Sequence, residues 1–170
     1  MKNKTQSWIF LLAVLLFSCQ PIEKSEFAIY LLSQDIPTDQ LRGIELRDLE
    51  KQSTPIITID DMIAYDWAAH EIELTAEAYA RIQDLFTLPI DVDGMPFVVV
   101  VDDGPIYVGA FWSLASSLIY DGVIILQPFA EQDRKIRLDL GYPSGAVFEG
   151  HDPREDPRIK DALEVSGKLK

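Results

Sequence analysis

The sequence predicts an α+β domain with a mainly antiparallel sheet and at least two helices packed on it, in a ferredoxin-like or related arrangement. Short runs of β-branched and aromatic residues, of which residues 97–101 are the clearest, have the composition of strands. Apolar residues at helical spacing follow Thr75, and Asp156-Pro157 is a typical helix start. The 170 residues are 48% hydrophobic, which is enough for one sizeable core.

Residues 1–18 predict a secretory signal peptide. Lys2 and Lys4 give it a basic start, and an apolar run of about ten residues, 8–17, follows. A membrane-spanning helix needs about 20 apolar residues, so this run is too short for a permanent span.

The end of this segment, Leu16-Phe17-Ser18-Cys19, resembles the box of bacterial lipoproteins, from which it departs only in the bulky Phe17. The resemblance implies that Cys19 becomes the first residue after cleavage and carries lipid chains such as palmitate. Two or three chains anchor a protein stably, because each buried methylene contributes about 0.8 kcal/mol. Residues 19–26 are then the lipidated Cys and a polar tether, and residues 27–170 form one domain outside the cytoplasm, in the cell envelope. The alternative is a simple cleaved leader with an incidental Cys19.

The charge balance argues against a nucleic-acid partner. The chain has 15 Lys and Arg against 28 Asp and Glu, a net charge of −13, and loses two further positive charges with the leader. Neutralising a phosphate backbone needs clustered basic residues, and no predicted face carries them. The single Cys also excludes an intrachain disulfide.

The first half of the domain predicts short strands and two helices. The expected strands are residues 27–32, 44–46, 56–59 and 71–74. Asp60 can cap a short helix over residues 60–67. Thr75 can cap a longer helix that ends before Pro89, with an apolar stripe of Ala78, Tyr79, Ile82, Leu85 and Phe86.

The second half predicts the centre of the sheet. Residues 97–101 and 106–112 read as strands, and Asp-Gly pairs at 103–104 and 121–122 are strong hairpin signals. The second pair would join residues 118–120 to a strand at 123–126. Residues 134–140 alternate charged and aliphatic side chains, as in a half-exposed strand, and residues 141–156 form a long loop before the last helix.

The sequence carries no recognisable metal, cofactor or catalytic motif. His70 and His151 lack the spacing of zinc ligands, so neither metal nor cofactor is expected. Residues 91–94 match only part of a calcium loop, and a solvated turn explains them. The ionisable residues at 150–156 could bind a cation or a polar ligand, although a loop with a helix cap also explains them. No serine lies in a Gly-x-Ser-x-Gly elbow, so enzymatic activity is undetermined, with non-enzymatic function favoured.

One strand face is a candidate binding surface. Strand alternation puts Tyr107 and Phe111 on the same side of residues 106–112. Aromatic side chains concentrate binding energy at interfaces, and Ser116, His70 and His151 could complete a pocket beside them. The alternative is that a helix covers both aromatics.

The middle of the chain is similar to the first periplasmic domain of the export subunit SecD. The similarity rests on the order of strands and helix in three segments, residues 57–61, 72–75 and 97–107. It implies a ferredoxin-like sheet and non-enzymatic contact with other envelope proteins, although this chain lacks the polytopic membrane segments of that family. The sequence thus predicts a non-catalytic, lipid-anchored envelope protein that binds a protein or a ligand. An envelope hydrolase and a cation-binding module are the alternatives.

Overall fold

A computed structural model describes residues 25–128 and 133–170 of the chain. They form a mostly-sheet domain with one eight-stranded mixed sheet and two α-helices. The strands are β1 Phe27–Leu31, β2 Ile57–Thr58, β3 Met62–Asp66, β4 Glu71–Leu74, β5 Met95–Val101, β6 Gly104–Trp112, β7 Tyr120–Leu126 and β8 Lys135–Tyr142. The helices are α1 Ala76–Asp84 and α2 Pro157–Val165. The predicted leader, Cys19 and the tether as far as residue 24 lie outside the described residues.

The strand order across the sheet is β2-β1-β5-β6-β7-β8-β4-β3. β6 and β7 pair in parallel, and each of the other neighbouring pairs is antiparallel. This arrangement does not confirm the predicted ferredoxin-like topology. In the described part of the chain, no helix combines the length and the apolar character needed to cross a bilayer.

The sheet buries a separate apolar cluster on each face. Along β5, Phe97 and Val99 belong to one cluster, and Val98 and Val100 to the other, because successive side chains of a strand point to opposite faces. The first cluster also contains residues of both helices, and we call it the helix-side core. We call the second the loop-side core; its buried members are Leu32, Leu41, Val98, Val100, Ala110, Trp112, Tyr120 and Ile124.

Two of the three predicted helices form, with the expected caps. Thr75 accepts a hydrogen bond from the backbone of Ala78 at the start of α1, and Asp156 accepts one from Arg158 at the start of α2. Gly167, with φ +67°, lies just beyond α2, where a left-handed residue commonly ends a helix.

The two Asp-Gly signals have different outcomes. A hairpin joins β5 and β6 as predicted, but its two central residues are Asp102 and Asp103, with φ of 49° and 64°, and Gly104 is the first residue of β6. The predicted hairpin at Asp121-Gly122 is wrong, because both residues lie inside β7. The aromatic ring of Tyr120 occupies the space where a Cβ on Gly122 would lie, 2.4 Å away, so this glycine permits close packing within a strand.

Two local predictions early in the domain are also wrong. The sequence predicts a helix over residues 60–67, but the structure has a single 3-10 turn, Ile59–Asp61, followed by the strand β3. β3 is held by β4 on one side and by the C-terminal residues on the other, where Tyr65 N donates to Lys168 O at 2.7 Å. These tertiary hydrogen bonds outweigh the local capping signal. Residues 44–46 form no strand; a 3-10 turn, Leu46–Asp48, begins at their end.

Candidate functional site

A cleft of about 730 Å³ opens at one end of the strand pair β1 and β5. Because the pair is antiparallel, the loop after β1 and the loop before β5 meet at the same end of the sheet. The end of β6 and the start of β7 complete the cleft. Its volume is typical of a binding pocket for a small ligand or a short peptide segment.

The side walls of the cleft are acidic. Asp35 and Asp39 come from the loop after β1, and Asp91 and Asp93 from the loop before β5. Among residues 25–128 and 133–170, no Lys or Arg lines the cleft, so no described basic side chain opposes these four charges within its walls. Among the described residues, these four carboxylates do not converge into a group that could hold a metal ion.

The floor of the cleft is a packed aromatic pair. The rings of Trp112 and Tyr120 stack with centroids 5.2 Å apart and planes 11° apart. Both side chains are buried, and their positions are fixed by the loop-side core. The floor is therefore rigid compared with the loops that form the walls.

One hydrogen bond joins the two loops that carry the aspartates, and a second lies within the loop before β5. Thr38 Oγ1 donates to Asp93 O at 2.7 Å, and Asp93 N donates to Asp91 Oδ1 at 2.8 Å. Gly94, at φ +84°, brings the second loop against the indole of Trp112, where a Cβ would lie 2.6 Å from ring carbons. The spacing of the acidic walls therefore follows from the fold.

The mouth of the cleft includes exposed apolar side chains. Residues 113–119 connect the parallel strands β6 and β7, and Leu118 and Ile119 within this connection line the cleft while remaining 46% and 74% exposed. A partner that combines positive charge with apolar side chains would match both the walls and the mouth.

Most of the residues selected from sequence lie elsewhere. Tyr107 and Phe111 are 5% and 0% exposed and belong to the helix-side core, so the expected exposed aromatic patch does not form. Burial also raises the pKa of the Tyr107 phenol. Ser116 is buried beside the loop-side core, and its Oγ accepts a hydrogen bond from Leu118 N at 3.2 Å. It therefore shapes the connection that carries the mouth of the cleft.

The two histidines have different environments, because His70 is buried and His151 is exposed. His70 is 8% exposed and packs against Tyr65, whose hydroxyl lies 3.2 Å from His70 Nδ1. Burial and the nearby Arg154 lower the pKa of His70, so its ring is neutral at neutral pH. His151 is exposed. The structure thus places His70 beside Asp152 and Glu155 of the late loop, whereas His151 of the same loop is not part of this group.

Arg154 and Asp152 form a fork beside His70. Arg154 Nε and Nη2 donate to the two carboxylate oxygens of Asp152 at 2.9 and 2.6 Å. Burial alone would raise the pKa of Asp152, but the hydrogen bonds and charge of Arg154 outweigh burial and lower it. Asp152 is therefore ionised throughout the neutral range.

Sequence reasoning missed the acidic cleft. Its four aspartates belong to two segments more than fifty positions apart, and each segment alone looks like an ordinary polar turn. Only the pairing of β1 with β5 brings them together. Comparison with models of known protein families, with curated protein sequences and with solved structures gives no match.

Proposed function

We propose that this protein is a non-catalytic, exported lipoprotein, anchored through Cys19, whose domain binds a basic peptide segment of another envelope protein. The observation that carries the proposal is the cleft, which has four aspartates, an apolar mouth and no basic residue among the described residues that line it. The anchor is supported by the signal-like leader and the Leu16-Phe17-Ser18-Cys19 box.

A peptide fits this cleft better than a single ion or a nucleic acid. The carboxylates are spread over two loops and do not converge on a point, which suits several separate cationic groups. Acidic walls repel phosphate. Leu118 and Ile119 add apolar surface at the mouth, which an inorganic ion would leave unused.

The finer fold assignment is part of the proposal. We class the domain as α+β with a mainly antiparallel sheet, supported by the single parallel pairing among its neighbouring strands. The hydrolase alternative has less support, because Ser116 lies beside the loop-side core, whereas His70 contacts Tyr65 of the helix-side core.

The test uses defined peptides and the soluble chain from Gln20 onward. A fluorescein-labelled peptide of alternating Lys and Leu should bind with an anisotropy change that weakens as salt is added, and a Glu and Leu peptide of equal length should not bind. The double variant Asp35→Asn with Asp91→Asn should weaken binding at least about tenfold, because each of these wall charges is expected to contribute about 1 kcal/mol to the free energy of binding.

The matched control removes two negative charges elsewhere. Asp161 and Glu164 are exposed on α2, so Asp161→Asn with Glu164→Gln changes the net charge equally and should leave affinity within about twofold. Equal weakening by both double variants would mean that only the overall negative field attracts the peptide, and the proposed site would be rejected.

A further inference from the structure

A second group of polar side chains lies away from the cleft. His70, Asp152 and Glu155 each offer one ligand atom, and these three atoms lie within 4.8 Å of one another. In residues 25–128 and 133–170, no other cluster of three or more His, Cys, Asp or Glu comes together in this way. His70 comes from the turn between β3 and β4, and the two acids come from the late loop.

The local fold explains why the two acids face the same way. Pro153–Glu155 is a 3-10 helix with Asp152 as its N-cap. A 3-10 helix has three residues per turn, so positions i and i+3 are eclipsed. Asp152 and Glu155 have that spacing, and both carboxylates therefore project to one side.

The backbone of Leu138 in β8 holds both halves of the cluster. Leu138 N donates to His70 O at 2.9 Å, and Leu138 O accepts a hydrogen bond from Arg154 Nη1. Leu138 itself is buried in the helix-side core. The distance between the histidine and the acidic loop is therefore set by a rigid strand, which is the kind of preorganisation that a binding site needs.

Neighbouring side chains orient two of the three ligands, His70 and Asp152. The Tyr65 hydroxyl lies against His70 Nδ1, which leaves Nε2 as the ring nitrogen free to bind. The Arg154 fork holds Asp152 in place. Oδ1 also accepts a hydrogen bond from Arg154 N at 3.0 Å, so Oδ2 is the oxygen that keeps a lone pair for a metal ion. Hydrogen bonds of this kind to the outer side of metal ligands are usual in metal sites.

We propose that His70, Asp152 and Glu155 bind a divalent first-row transition metal such as Zn²⁺. One imidazole and two carboxylates are a suitable donor set, and three protein ligands leave an open position for water or a partner's donor atom. Ligands at about 2.1 Å from one Zn²⁺ lie about 3.4 Å apart, so the side chains need to close by little more than about 1 Å. Glu155 is exposed and can make that movement.

The donor set also predicts selectivity. Ca²⁺ and Mg²⁺ prefer oxygen ligands, and an imidazole in the site disfavours them. Zn²⁺ is expected to bind more tightly than Mn²⁺, following the usual order of affinities. The cluster shares no residue with the peptide cleft, so metal binding can be tested without the peptide and without changing any cleft residue.

The test is thermal unfolding of the soluble chain with added metal chloride. At about 100-fold excess over its dissociation constant, Zn²⁺ should raise the melting temperature by about 5–10 °C, and Mg²⁺ and Ca²⁺ should not. EDTA should reverse the shift. The variants His70→Gln and Glu155→Gln should each lose most of it.

The controls match the ligands in residue type. His151→Gln removes the other histidine, which is exposed, and Glu164→Gln removes an exposed acid of α2; both should keep the full Zn²⁺ shift. If His70→Gln unfolds, Glu155→Gln decides the matter alone, because Glu155 is exposed and outside the core. No Zn²⁺ shift in the native chain, or a shift that survives Glu155→Gln, would overturn the proposal and leave the cluster as a structural clamp.

Discussion

Gly94 is the residue at which the loop before β5 packs on Trp112. Its φ of +84° disfavours any L side chain, and a Cβ would lie 2.6 Å from the indole ring. We expect Gly94→Ala to lower the free energy of unfolding by about 2–4 kcal/mol, of which about 1–2 arises from the left-handed backbone and the rest from displaced packing.

Gly43 is the matched control for this prediction. Its φ is similar, +94°, but nothing lies within 4 Å of a Cβ added there. Gly43→Ala should therefore cost only the backbone part, about 1–2 kcal/mol. Urea denaturation measures both values, and equal losses would mean that the contact with Trp112 has no energetic importance.

The tripeptide Asp-Pro-Arg occurs twice, and its sequence alone does not predict which of the two arginines is buried. Asp152-Pro153-Arg154 and Asp156-Pro157-Arg158 form the same local fork, with Nε to Oδ1 distances of 2.9 Å in both. The Arg154 side chain is 12% exposed and also contacts Leu138, whereas that of Arg158 is 57% exposed. Local sequence predicts the fork, but burial and the third contact depend on where β8 passes.

The corner between β2 and α1 is held by one carboxylate. Asp61 accepts hydrogen bonds from Thr58 N and Oγ1, both at 2.8 Å, and pairs with Arg81 of α1 at 2.7 Å. Burial alone would raise the pKa of Asp61, but these hydrogen bonds and the charge of Arg81 outweigh it and lower the pKa.

The lowered pKa gives a pH dependence with a definite sign. The ionised form of Asp61 is favoured in the folded state, so its stabilisation is complete above the unfolded value of 3.8 and is lost as pH falls through the lower folded value. Asp61→Asn should cost about 1 kcal/mol at pH 7, a modest value because Arg81 is 42% exposed.

Urea denaturation at pH 7 and near pH 3 measures this effect. The difference between the native chain and Asp61→Asn should shrink at the lower pH, whereas Asp84→Asn, an exposed change at the end of α1, should have little effect at either pH. A difference that stays constant with pH would show that the charge of Asp61 does not contribute.

At the element scale, the success of sequence reasoning follows the strength of local signals. α1, α2 and the hairpin after β5 have caps or turn residues that determine local backbone geometry. The helix predicted in place of β3 is wrong because the conformation of β3 depends on strand partners distant in sequence. The hairpin predicted at Asp121-Gly122 is wrong because β7 pairs in parallel with β6. Partner choice of this kind has no local signature.

For the whole molecule, the proposed attachment to a membrane would depend on Cys19. Replacing Cys19 by Ser should abolish labelling by a fatty-acid probe and move the protein from the detergent phase to the aqueous phase, because the proposed lipid chains have no other acceptor thiol. A serine variant at Ser25, such as Ser25→Ala, leaves the box intact and should label normally. Labelling that persists in Cys19→Ser would rule out the lipoprotein assignment.

β1 runs from the proposed tether to the cleft. The residue before it, Glu26, donates its N–H to Asp102 at 2.8 Å near the tether, and its last residue, Leu31, lines the cleft. Hydrogen bonds between antiparallel strands run perpendicular to the strands, so tension between a lipid anchor and a bound partner would act along β1. The hydrogen bonds between β1 and β5 would then be loaded in shear, all at the same time. A pulling force would therefore have to break the whole ladder together and could not open it one pair at a time.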